Sequence, residues 1–73
     1  MKRFAVVFEK VSSNWAAYVP DLPGCISTGP TLEETKRNIR EAIELHIEAM
    51  REVGEPVPVP TSAVDFVELE TVA

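Results

Sequence analysis

The fold is decided by residues 29–54, which read GPTLEETKRNIREAIELHIEAMREVG. Thr31 and Glu34 form a capping box, in which the threonine hydroxyl accepts the Glu34 backbone N–H and the glutamate reaches back to the Thr31 N–H. Gly54 favours the left-handed conformation that ends a helix, and Pro56 prevents the helix from continuing. The stretch therefore predicts a helix of about six turns whose two ends are both specified.

The predicted helix has one apolar side and one charged side. The residues that recur on the apolar side are Leu32, Thr35, Ile39, Ala42, Ile43, His46, Met50 and Val53. The opposite side carries Glu33, Arg37, Arg40, Glu41, Glu44, Glu48 and Arg51. Because one helix with one apolar stripe cannot fold alone, we expect the rest of the chain to form the surface that it covers.

Three short segments before the helix have the alternating pattern of strands. We predict strands over residues 2–10, 15–19 and 25–28, joined by short links. The apolar residues expected on one face are Phe4, Val6 and Phe8 in the first strand and Trp15, Ala17 and Val19 in the second. Strands in such quick succession form an antiparallel meander.

The segment after the helix has prolines at every second position, at Pro56, Pro58 and Pro60. This spacing predicts a stiff strap of polyproline II character that returns the chain from the helix to the sheet. Residues 63–69 are then predicted to form a fourth strand with apolar side chains on both faces. Since one covering helix needs only one such face, a second copy of the chain is expected to meet the other.

These elements predict a single domain, residues 1–73, of the α+β class. Its expected architecture is a small antiparallel sheet in the order β-β-β-α-β, with one long helix packed on one face. A domain of 73 residues has a marginal core, and a single cysteine excludes an internal disulfide. Self-association is the usual remaining source of stability, so a homodimer or a higher homo-oligomer is expected.

Charge and composition exclude several classes of function. The formal net charge is −5, which argues against a nucleic-acid partner and suits a basic protein partner. No apolar run approaches the roughly 20 residues of a membrane span, and the amino terminus lacks a signal-peptide pattern. We therefore expect a cytoplasmic protein with no membrane contact. No cofactor motif or metal-binding cluster is present, so no cofactor is expected.

A combination of motifs carries a family resemblance. The motifs are Tyr18-x-Pro20-Asp21-Leu22-Pro23-Gly24-Cys25-x-Ser27-x-Gly29-x-Thr31-x-Glu33-Glu34, then Asn38-Ile39-x-Glu41-Ala42-Ile43, then Gly54-x-Pro56-x-Pro58-x-Pro60. Together they resemble the HicB family of antitoxins, from residue 4 to about residue 62. The resemblance implies a partial RNase H-like fold and a role in binding and silencing HicA, a small basic toxin that cleaves RNA.

Many HicB proteins carry a DNA-binding region after this module, and we expect this chain to lack one. We therefore expect no promoter binding by this chain. One alternative is an orphan HicB-like regulator that has no toxin and binds another protein or a small ligand. A second alternative, from a different class, is a degenerate metal-dependent nuclease.

Candidate catalytic groups are few. The helix carboxylates alternate with arginines, which favours a solvated charged face over a magnesium site. Cys25 and His46 are the only candidates for a nucleophile and its base. His46 lies in the apolar stripe and is expected to be packed and neutral, and nothing near Cys25 favours its thiolate. We therefore predict that the chain is not an enzyme and has no catalytic or metal-binding residues.

The loop formed by Asp21, Leu22, Pro23 and Gly24 is the predicted partner-binding site. Pro23 and Gly24 suit the central positions of a type II turn, so the loop is ordered before docking and loses little entropy on binding. A plain rigid turn is the alternative interpretation. As a surface turn, the loop is expected to contribute little to the core.

Overall fold

The computed structural model describes residues 2–71, so Met1, Val72 and Ala73 of the predicted domain lie outside the described residues. The elements are β1 (Val7–Val11), β2 (Asn14–Tyr18), β3 (Ile26–Gly29) and α1 (Leu32–Glu52). The strands form one sheet in the order β1-β2-β3, and both pairings are antiparallel. Helix α1 packs against β2 and β3. The predicted α+β class, with a meander followed by one long helix, is confirmed.

The first strand begins at Val7, whereas it was predicted to begin at residue 2. Val7 pairs with Tyr18, the last residue of β2, so residues before Val7 have no β2 residue opposite them. The chain leaves the sheet after Tyr18 because Pro20 has no backbone N–H to donate. At the other end, Val11 pairs with Asn14 across a two-residue turn in which Ser12 adopts a φ of 53°.

Both ends of α1 lie where the sequence predicts them. The Glu34 backbone N–H donates to the Thr31 hydroxyl at 3.1 Å, so Thr31 is the N-cap. At the other end, Gly54 adopts a φ of 75° and its N–H donates to the Arg51 carbonyl at 3.2 Å. The Glu55 N–H donates to the Met50 carbonyl at 2.9 Å, which completes a Schellman motif.

The core lies between the sheet and one side of α1. Its buried apolar side chains are Ala17, Val19, Leu22, Cys25 and Ile39, and the half-buried ones packed on them are Phe4, Val6, Phe8, Ala42, Ile43, Ile47 and Met50. Phe4, Val6 and Phe8, predicted to share one face, all pack in this core, as do Ala17 and Val19 of the second strand, whereas Trp15 is not among the core residues. The apolar side of the helix differs from the prediction at two positions. Val53 is exposed, and Ile47, which was not predicted on this side, packs on the core.

The end of β3 approaches the first turn of α1 very closely. A Cβ added to Gly29 would lie 2.6 Å from Thr35 Oγ1 and 3.0 Å from the Thr35 backbone nitrogen. Thr35 is fully buried, and its hydroxyl donates to the Thr31 carbonyl at 2.7 Å. The Asn38 side-chain amide also donates to the Thr28 carbonyl at 2.9 Å. The helix start is thus fixed to the last strand of the sheet.

The predicted fourth strand over residues 63–69 is wrong for a single copy of the chain. Residues 55–71 have no helix or strand, and every residue from 61 to 71 is exposed. Strand hydrogen bonds require a neighbouring edge, and this segment lies against none. The strap before it returns to the loop that follows β2, because Thr61 and Ser62 are hydrogen-bonded to Asp21 in that loop.

Candidate partner-binding surface

Residues 19–25 form a compact loop of two successive turns. The Leu22 N–H donates to the Val19 carbonyl at 3.1 Å, and the Cys25 N–H donates to the Leu22 carbonyl at 3.0 Å. Gly24 adopts a φ of 84° in the second turn, which confirms the predicted type II turn. The Val19 N–H donates to the Cys25 carbonyl at 3.2 Å and closes the loop at its base.

The two turns direct Leu22 into the core, where its exposed fraction is 0%. The expectation that this surface turn contributes little to the core is therefore wrong. Val19 and Cys25 at the base of the loop are buried beside it, so the loop closes one end of the core. The sequence gives a signal for this in Leu22 itself, an apolar side chain in a loop that two prolines and a glycine hold rigid.

Asp21 is bonded within the chain. Its carboxylate accepts the backbone N–H groups of Thr61 and Ser62 at 3.1 and 3.0 Å, and their hydroxyls at 3.3 and 2.8 Å. These hydrogen bonds, those from Ser62 above all, lower the Asp21 pKa. We call this arrangement the Asp21 clasp. It joins residues 40 and 41 positions apart, and no local pattern in the sequence predicts it.

The exposed part of the loop consists of Pro20, Pro23 and Gly24. Tyr18 and Ile26, which pair across β2 and β3, flank it where the loop joins the sheet. Both point to the sheet face opposite the buried Ala17, and their exposed fractions are 42% and 68%. Of the predicted site residues, the structure thus leaves Pro23 and Gly24 accessible, next to an apolar cross-strand pair outside the predicted site.

The two candidate catalytic side chains are in different environments. Cys25 is buried, and burial raises the pKa of its thiol, which disfavours the reactive thiolate. His46 is half-buried on α1 and lines a shallow depression with Pro23 and Met50. Within residues 2–71, no three histidine, cysteine or carboxylate side chains come together in a way that would hold a metal ion. No helix of this part of the chain combines the length and apolar character needed to cross a membrane.

Comparison with known proteins gives several relatives. The chain is 46% identical over 55 residues to a 14.9 kDa protein from the rep-hol intergenic region of Haemophilus phage HP1. That match covers 75% of this chain and 41% of the phage protein, so the chain spans less than half of that relative. It is also 45% identical over 56 residues to a UPF0150 protein of Synechocystis, covering 75% of this chain and 71% of that protein.

A third relative is a UPF0150 protein of Helicobacter pylori, 51% identical over 41 residues, which are 56% of this chain and 57% of that protein. No solved structure matches the chain. A family model described as the HicB-like antitoxin of bacterial toxin-antitoxin systems matches residues 4–71. The match begins before the sheet and includes the loop, the helix, the strap and the residues after the Asp21 clasp. The chain therefore belongs to the HicB-like antitoxin family.

Proposed function

We propose that this protein is a non-enzymatic antitoxin that binds a HicA-like RNA-cleaving toxin and covers its catalytic surface. The observation that carries the proposal is the family match over residues 4–71, nearly the whole described chain. A toxin of this kind acts on cytoplasmic RNA, so the complex would form in the cytoplasm.

The surface proposed for the toxin contains the exposed residues of the loop, Pro23 and Gly24, together with Tyr18 and Ile26. Two features support this choice. The loop backbone is fixed by its turns and by the Asp21 clasp, so docking costs little conformational entropy. The cross-strand pair supplies an aromatic and an aliphatic side chain, of the kind that often forms the apolar centre of an interface.

The four residues of the predicted loop therefore have two different roles. Pro23 and Gly24 would contact the partner directly, whereas Asp21 and Leu22 would hold the loop in its docking conformation. The net charge of −5 would attract a basic toxin and raise the association rate, and the buried centre of the interface would set the dissociation rate. The proposal gives this domain no nucleic-acid contact. It also takes the active form to be a homodimer or a higher homo-oligomer.

The test is the affinity of the purified chain for a HicA-like toxin, compared between two substitutions of exposed residues. Ile26→Asp places a charge in the proposed interface, and we expect it to weaken binding at least tenfold. Leu45→Asp is the matched control, because Leu45 is 59% exposed on α1, which packs on the sheet face opposite Ile26, and its affinity should equal that of the wild type.

Equal affinity of the Ile26→Asp variant and the wild type would show that the toxin binds elsewhere. Failure of the wild type to bind any HicA-like protein would favour the orphan regulator. Cleavage of RNA by the chain alone in the presence of magnesium would contradict the non-enzymatic assignment and favour the nuclease alternative.

A further inference from the structure

Residues 63–71, which we call the arm, expose an apolar surface that the rest of their own chain does not cover. Phe66 is 94% exposed, and Val67 and Leu69 are exposed to 82% and 77%. The radius of gyration is 14.5 Å, compared with about 11 Å expected for a compact domain of this length. Since consecutive large apolar groups are rarely left in water without a partner, the arm requires a surface to pack against.

The arm also carries a uniform charge. Asp65, Glu68 and Glu70 are its ionisable residues, and it contains no lysine or arginine. On an extended arm Val64 and Phe66 share one face with Glu68 and Glu70, so this face fits a surface with an apolar floor followed by basic side chains.

A surface with these two properties lies between the start of the chain and α1. It is a groove of about 550 Å³, which we call the N-terminal groove. Its apolar lining comes from Phe4, Ile43, Ile47 and Val57. Its charged lining comes from Lys2, Arg40 and Arg51, with Glu44 as the one carboxylate among them. The groove is therefore apolar with an excess of positive charge.

The groove also adjoins an unpaired stretch of backbone. Residues 2–6 precede β1 and lie outside the sheet ladder, so Phe4 belongs to a segment with free backbone hydrogen-bonding groups. At the opposite edge of the sheet, the Thr28 carbonyl of β3 already accepts the Asn38 side chain, and α1 packs on that strand. The edge beside the N-terminal groove is thus the one more available to an added strand.

The chain directs its own arm away from its own groove. Val57 lines the groove, and the strap then runs through Pro58 and Pro60 to the Asp21 clasp at Ser62. Five residues of polyproline-like chain extend roughly 15 Å. To return, the arm would have to reverse direction directly after Ser62, but residues 61–71 contain no turn and are exposed throughout.

We propose that the N-terminal groove binds the arm of a second copy of the chain, and that two copies exchange arms in a symmetric dimer. This inference rests on the homo-oligomer in the proposed function and is independent of the toxin. Each copy then places Val64 and Phe66 over the apolar lining of its partner's groove, and Glu68 and Glu70 on the same face of the arm meet Lys2, Arg40 and Arg51. The predicted fourth strand forms in the dimer, along residues 2–6 of the other copy.

The experiment uses charge reversal in the full chain. One variant reverses the arm with Glu68→Lys and Glu70→Lys, and a second reverses the groove with Arg40→Glu and Arg51→Glu. Each variant alone sets like charges against each other in a homodimer, and we expect its dimer dissociation constant to rise at least tenfold. When mixed, the two variants should form a heterodimer with nearly the wild-type affinity, because each arm then meets a groove of opposite charge. Analytical ultracentrifugation measures all three constants.

The matched control reverses Lys36→Glu and Arg37→Glu, two exposed residues of α1 that do not line the groove. It has the same net charge as the groove variant and should dimerise like the wild type. A monomeric wild-type chain would overturn the proposal, as would homodimers of both variants at wild-type affinity. Failure of the mixture to form a heterodimer would also overturn it. None of these results depends on toxin binding, so the antitoxin role is tested separately.

Discussion

Replacing Leu22 with alanine tests whether the partner-facing loop is also part of the core. Leu22 has an exposed fraction of 0% and packs among Val19, Cys25 and Ile39 in the buried cluster. Leucine-to-alanine changes at such sites cost about 2–5 kcal/mol, from lost apolar burial and the cavity left behind. A 73-residue domain has a total stability of roughly 4–11 kcal/mol, so the variant should lose a large part of it.

For a domain of this size, a loss of about 3 kcal/mol lowers Tm by roughly 12–24 °C. The assay is thermal and urea unfolding followed by circular dichroism at one fixed protein concentration, since self-association makes Tm depend on concentration. Leu45→Ala is the matched control, because it removes the same atoms from a leucine that is 59% exposed on α1, and it should change stability by less than about 0.5 kcal/mol. Equal Tm values for the two variants would refute the placement of Leu22 in the core.

Three further changes probe the contacts that fix the helix, the sheet and the strap. Thr31→Ala removes the acceptor for the Glu34 N–H and should cost roughly 1 kcal/mol in urea unfolding; an unchanged midpoint would mean that the helix is not capped there. Gly29→Ala sets a Cβ against Thr35 and should destabilise the fold by about 1–3 kcal/mol, whereas a neutral result would contradict the close approach of β3 and α1. Because hydrogen bonds from Ser62 and Thr61 lower the folded-state Asp21 pKa, the stability that this carboxylate contributes is present above about pH 4. It is lost as the pH falls through the lowered pKa, so the stability difference between the wild type and Asp21→Asn should shrink on acidification. A difference independent of pH between 5 and 2 would argue against the clasp.

Elements whose conformation depends only on neighbouring residues were predictable from the sequence. The helix bounds follow from Thr31 and Gly54, whose roles depend only on their immediate neighbours. The type II turn at Pro23 and Gly24 and the shared face of Phe4, Val6 and Phe8 are local in the same sense. In each case a short pattern of side-chain chemistry restricts the backbone before any long-range contact forms.

Features that depend on distant partners were not predictable in this way. The Asp21 clasp joins the loop to the strap across 40 residues, and neither segment carries a sign of the other. Two further errors had local causes instead: two successive turns bury Leu22, and Val53 leaves the apolar side because the helix ends one residue before it. The strand predicted over residues 63–69 failed in the single chain because a strand needs a neighbouring edge, which sequence periodicity does not supply.

The antitoxin role is tested most directly by titrating the RNA cleavage of a HicA-like toxin with this chain. Labelled RNA, a fixed amount of toxin and increasing amounts of the chain are incubated, and the fraction of intact RNA is measured. If the chain covers the catalytic surface, cleavage should stop once the chain reaches equal stoichiometry with the toxin, without any promoter DNA present. Toxin that stays fully active at a tenfold excess of folded chain would contradict the proposed function.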